Sequence, residues 1–203
     1  MNSDNTRNEQ GNKLAPLITF EQLKAIAPNL PKNADVFIPY LNKYMPLFGI
    51  DTPQRIRHFI AQTAHESGGF RFVKELSTGK QYEGRADLGN IHPGDGPLYK
   101  GRGLIQCTGR NNYMACSMAL FGDARLLKSP ELLEIPEYAV AASCWFWSMK
   151  GLNKFADLPD TWRSKTKNYS PLQYITYLVN GGQNGIADRE AYYKRALSTL
   201  STG

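Results

Sequence analysis

Apolar residues first recur at helical spacing at Phe20, Leu23 and Ile26, behind a Thr19–Gln22 pair with the spacing of a capping box, and Pro28 ends the run. The pattern predicts a short helix there. Residues 1–16 hold little that could offset the entropy of ordering, so a flexible polar tail is expected, followed by one folded unit over residues 17–203. Val36, Phe37, Tyr40, Leu41, Tyr44 and Leu47 mark a second helix between Ala34 and Phe48, with Pro39 and Pro46 blurring its ends. Asp51 or Thr52 can cap a third. That helix has Pro53 in its first turn and an apolar stripe of Ile56, Phe59, Ile60 and Ala64 leading to His65 and Glu66, where Gly68 and Gly69 stop it. From Glu75 to Asn112 glycines are frequent and helical periodicity is absent, which predicts ordered loops with short strands. Helices return from Pro136 to just before Gly151, from Ser170 to Asn180, and from Ala187 to Leu200. The predicted fold class is mainly α.

With 203 residues and 41% hydrophobic content the chain can bury a sizeable core. No apolar run approaches the ~20 residues of a membrane span. The amino terminus is polar where a signal peptide would be apolar, so the expected location is the bacterial cytoplasm before release. The formal charge of +6 favours an anionic partner. Nucleic acid is not expected, because Lys and Arg are scattered and no aromatic–basic recognition motif is present. Cys107, Cys116 and Cys144 are odd in number and lack ligand spacing, so free thiols are expected, with neither a disulfide framework nor a metal site.

The candidate chemistry is acidic. Ten positions beyond Ile56, Glu66 lies ~80° round the helix from it, at the border between core and water, where partial burial suits a general acid. On one continuous helix Glu75 would point to the opposite face, roughly 13.5 Å further along. The Gly68–Gly69 break lets the chain fold back so that the two carboxyls can face each other, at the ~6.5–9.5 Å that suits inverting glycoside hydrolysis. Glu83, Asp87 and Asp95 are rival bases by position alone.

Three segments carry a resemblance: HESGGFRFVKE from His65 to Glu75, YKGRGLIQCTGRNNY from Tyr99 to Tyr113, and LVNGGQNGIADR from Leu178 to Arg189. In order and spacing they are similar to the signature blocks of glycoside hydrolase family 19, nearest its endolysin-type bacterial and phage members. The resemblance implies a lysozyme-like, two-lobed α-helical fold with a groove between the lobes, and an inverting mechanism that needs no cofactor and no metal. It implies Glu66 as catalytic acid and Glu75 as base, with Glu83 as an alternative base. Thr108 stands where many members hold the attacking water with Ser; Gln106 and Asn112 match groove-lining groups, Asn180 a substrate-binding Asn, and Arg189 an Arg beside the acid. Asn184 stands where some members have an acid.

His65 reads either as an orienter of Glu66 or as a structural histidine, and Arg102 either as a site residue or as the structural partner of an acid. Gln106 and Asn112 can also serve loop backbone alone. Tyr82 and Tyr99 suit sugar stacking or the core, while Trp145, Phe146 and Trp147 fit the core. The endolysin-like loop pattern and the basic charge favour peptidoglycan glycan strands over chitin, cut by a muramidase-like enzyme. An endochitinase is the alternative, and a glycan-binding module without turnover the reading from another class. A monomer is expected, released by a phage holin or delivered as a cell-wall effector with a cognate immunity protein.

Overall fold

Thr19 opens the first helix as its spacing predicts. Its hydroxyl accepts the Gln22 N–H at 3.2 Å while the Gln22 side chain accepts the Thr19 N–H at 2.9 Å, closing a capping box on α1 (Phe20–Ile26). The computed structural model describes residues 15–200; of the expected tail, residues 1–14 lie outside the described residues. The second predicted helix divides into a 3-10 turn, Ala34–Phe37, that runs into α2 (Ile38–Leu47). Pro39 occupies the first turn of α2, where its missing N–H costs nothing, and Pro46 the last turn, where the helix is about to end.

Thr52, rather than Asp51, caps α3 (Pro53–Glu66), accepting the Arg55 N–H at 3.3 Å. All residues from Ile56 to Ala64 are buried. The expected one-sided stripe is therefore corrected: α3 runs through the middle of the molecule, and Arg57, His58, Gln62 and Thr63 face protein as Ile56 and Phe59 do. Three of these four polar residues have partners. Arg57 donates to the Leu200 carbonyl, Gln62 to the Thr176 hydroxyl at 3.0 Å, and Thr63 to the Phe59 carbonyl at 2.9 Å.

The segment after α3 is loop, with 3-10 turns at Lys80–Tyr82 and Ala86–Leu88 and one turn of helix, α4 (Asp95–Leu98). Extended pairing there amounts to two isolated bridges, Lys74 with Arg102 and Arg102 with Cys107. Next come α5 (Arg110–Phe121), α6 (Arg125–Lys128) and a 3-10 turn, Pro130–Glu134. The pattern of apolar positions did not announce α5. Only Tyr113, Cys116 and Ser117 on it are buried, while Met114 and Met118 face outward, so no clean stripe exists to be read.

α7 (Pro136–Met149) organises the architecture. Val140, Cys144 and Trp147 enter the larger core with α1, α2 and α3, where Trp147 meets Phe59 edge to face at 5.5 Å. Ala142 and Trp145 enter a second core built on Tyr99, Tyr113, Leu126 and Leu133. One helix thus serves two lobes, which is why it is apolar all round. α8 (Asn153–Ala156), α9 (Pro171–Asn180), which repeats the capping box with Ser170 and Gln173, and α10 (Ile186–Thr199) complete the fold, with α10 packed along α3. The cysteines are free thiols, and burial pushes Cys144 well above the usual thiol range. No described helix is long and apolar enough to cross a membrane.

His58 is enclosed at the centre of α3, its ring 4.4 Å from that of Tyr193, and neither ring nitrogen has a hydrogen-bond partner among the described residues. Burial first, then the neighbouring Arg57 charge, push its pKa down from 6.5 to about 3. The folded state keeps the ring neutral, whereas the unfolded chain takes up a proton below pH 6.5. The His58 contribution to stability is therefore fully present above that pH and is lost progressively as the pH falls from 6.5 toward 3. Melting curves at pH 7 and pH 4 should show a smaller acid loss for His58→Leu than for the wild type; equal losses would assign the acid sensitivity elsewhere.

Candidate active site

α3 delivers Glu66 at its last residue. Gly68 and Gly69 follow at φ +60° and +75°, left-handed values that reverse the chain there, and the Ser67 hydroxyl ties the turn to Thr63 and Phe70. One oxygen of Glu66 accepts a terminal nitrogen of Arg189, whose side chain is only 1% exposed. The other terminal nitrogen donates to the Gln62 amide oxygen, and Nε lies 3.4 Å from the Asn184 carbonyl. One residue earlier on both helices, His65 Nδ1 lies 2.6 Å from Asp188 Oδ2. Consecutive side chains of α3 thus pair with consecutive side chains of α10. Gly185 permits the approach, since a Cβ there would stand 2.2 Å from His65 Nε2.

Glu75 is held by loop alone. Its N–H donates to the Gly101 carbonyl at 2.9 Å and the Gly101 N–H returns a bond to Oε2 at 3.1 Å. Oε1 accepts from the Ser77 hydroxyl, from Gln81 Nε2 at 2.8 Å and from the Tyr82 hydroxyl at 3.1 Å. Burial first, and then the Glu75 charge, raise Tyr82 above the ordinary phenol range, so it remains a proton donor at neutral pH. Four donors converging on one carboxylate fix its place without a helix beneath it.

Gln106 closes this side. Its backbone sits at φ +59°, which a non-glycine residue adopts only at a cost, and its Nε2 donates to the Gly103 carbonyl at 2.9 Å, leaving its oxygen toward Gly101. Thr108 donates to the Gln106 carbonyl at 2.8 Å and keeps acceptor capacity on its hydroxyl. Asn112 donates to the Thr108 carbonyl at 2.7 Å. Asn180 spans its own turn, bonding the Asn184 carbonyl at 3.0 Å and the Gly182 N–H at 2.9 Å.

The rival acids are engaged elsewhere. Glu83 accepts the N–H groups of Gly94 at 2.6 Å and Gly96 at 2.8 Å, a clamp on its own loop. Asp87 pairs with Arg85, and the enclosed Asp95 takes Arg110 through both oxygens at 2.6 and 2.9 Å; in each case the arginine holds the carboxyl below its usual range. Arg102 is enclosed and donates to Glu134, the Leu98 carbonyl and the Tyr113 hydroxyl, the structural one of its two expected readings. Tyr99 packs on Tyr113 at 5.3 Å in the second core, and Trp145 and Trp147 are also core. Among the described residues no group of three His, Cys, Asp or Glu side chains could hold a metal ion. Gln62, Ser77, Gln81 and Asp188 join the site without having been singled out by sequence; only Gln62, four residues before Glu66 on the same helix face, left a spacing signal.

A glycosyl hydrolase family 19 domain-containing protein of Haemophilus influenzae is 30% identical over 172 residues, spanning 70% of this chain and 78% of that one. The chain belongs to glycoside hydrolase family 19. Chitinase 8 of Oryza sativa is 31% identical over 196 residues, covering 83% of this chain and 71% of the relative. Chitinase C of Streptomyces griseus superposes with a TM-score of 0.67 at 19% identity over 95% of this chain and 96% of its own, which shows the lysozyme-like, mainly α fold. A scan against protein-family models gives no match. Membership makes the protein a glycoside hydrolase of β-1,4 bonds.

Two substitutions separate frame from chemistry. Arg102→Met should lower stability by ~2–3 kcal/mol through lost charged hydrogen bonds, read as a fall in denaturation midpoint. A Cβ at Gly101 would stand 2.7 Å from the Gln106 amide oxygen and 3.2 Å from Glu75 Oε2. Gly101→Ala should therefore displace the Glu75 carboxylate and lower kcat by ~10²-fold with the melting temperature nearly kept; unchanged turnover would remove Glu75 from the reacting centre.

Proposed function

We propose that this family 19 hydrolase degrades peptidoglycan, cutting between N-acetylmuramic acid and N-acetylglucosamine with inversion. The observation that carries the reading is the contrast between the two acids: Glu66 bonded to a buried guanidinium at a helix end, Glu75 cradled by four donors in the loop region that follows. Glu66 protonates the glycosidic oxygen as the bond to the anomeric carbon breaks. Glu75 takes a proton from a water that attacks that carbon from the opposite face, and the product leaves with inverted configuration. Thr108 supports the water through its free lone pairs. Gln106, Asn112 and Asn180 contact the glycan, and Arg189 holds the acid in place.

Both aminosugar polymers present the same β-1,4 bond to the acid pair, and two things favour peptidoglycan: the net charge of +6 suits an anionic wall, and the Tyr82–Gly96 loop resembles the endolysin pattern. The enzyme would act as a monomer on the cell wall, reaching it from the cytoplasm after holin-dependent release or as a delivered effector with an immunity partner. The second reading is an endochitinase, favoured by the names of the plant and Streptomyces relatives.

Mass spectrometry of fragments released from purified sacculi and from colloidal chitin decides between them. New reducing N-acetylmuramic acid ends are expected from sacculi; fragments from chitin alone would establish the endochitinase. Glu66→Gln should abolish release while preserving the melting temperature, because the amide keeps the shape and lacks the transferable proton.

A further inference from the structure

We infer that Gln62 and Thr176 are positioning residues for the catalytic acid, and this inference rests on the hydrolase reading of Glu66. Both side chains are wholly buried and neither would touch a glycan. A guanidinium as enclosed as that of Arg189 needs an acceptor for each N–H it directs inward. Among the described residues Glu66 is the one carboxylate it bonds. Gln62 supplies the second acceptor one helical turn earlier on α3, so the two terminal nitrogens of Arg189 span positions 62 and 66 of one helix face. Because the amide is neutral, it shares the guanidinium without competing for its charge as a second carboxylate would.

A primary amide is nearly symmetric in shape and can present either its oxygen or its NH2 group. Thr176 on α9 breaks the symmetry: its hydroxyl accepts Gln62 Nε2 at 3.0 Å, which turns the amide oxygen toward Arg189. Rotated the other way, the amide would set N–H against N–H. The order Thr176, Gln62, Arg189, Glu66 therefore reaches from α9 through α3 and α10 to the acid. Its result is a single placement of the carboxyl, with Oε1 engaged by the guanidinium and Oε2 left to carry the proton for the leaving group.

Thr176→Val keeps the shape and removes the acceptor, while Thr176→Ser keeps the hydroxyl. Kinetics on solubilised peptidoglycan strands and on the N-acetylglucosamine hexamer, using whichever the wild type turns over, should show kcat about fivefold to tenfold lower for Thr176→Val, with KM within about twofold. Thr176→Ser should restore kcat, and Gln62→Leu should lose more than Thr176→Val. Wild-type kcat in Thr176→Val, or a loss that tracks its melting temperature and that Thr176→Ser does not restore, overturns the positioning role. Glu66→Gln run alongside separates the two levels: turnover by that variant overturns the acid assignment and the positioning role together, whereas an inactive Glu66→Gln beside a fully active Thr176→Val overturns the positioning role alone.

Discussion

A positive charge that has left water must be answered inside the protein, and the guanidinium of Arg189 is the charge on which this molecule is arranged. Its ion-pair partner is the last residue of α3, so the contact that neutralises it also clamps α10 to α3 and fixes the direction in which Glu66 leaves its helix. The neighbouring His65–Asp188 pair repeats the contact one residue earlier and keeps the two helices in register. Burial of α3 on all sides follows: the helix that holds the acid is enclosed by elements that must also satisfy Gln62 and Arg57, while Thr63 turns back to its own helix.

The other acid is mounted by different means. No helix supports Glu75; hydrogen bonds from Ser77, Gln81, Tyr82 and Gly101 do so, on a loop whose far end Glu83 fastens through Gly94 and Gly96. Rigidity of this kind depends on many short polar contacts and not on packed apolar surface, so it leaves almost no periodic trace in the chain.

That difference explains what could be read in advance. Helices α1, α3 and α9 announce themselves through contiguous signals: the Thr19–Gln22 and Ser170–Gln173 capping boxes, and Thr52 followed by Pro53. Glu66 and Glu75 stand out as candidates because glycines lie between them, and the three family-like segments imply a role for each. The partners of Gln62 stayed hidden because they are remote in sequence, Thr176 at a separation of 114 and Arg189 at 127. Helix α5 stayed hidden because it buries too few side chains to show a stripe. Arg102 was ambiguous for a related reason: its acid partner, Glu134, lies 32 residues away, in the turn that leads into α7.

The sharing of α7 between two cores bears on how the lobes can behave. Val140 and Trp147 are rooted in one and Trp145 in the other, so neither lobe can melt or swing away without pulling apart the packing of its neighbour. Such a common spine favours cooperative, all-or-none unfolding over stepwise loss of halves.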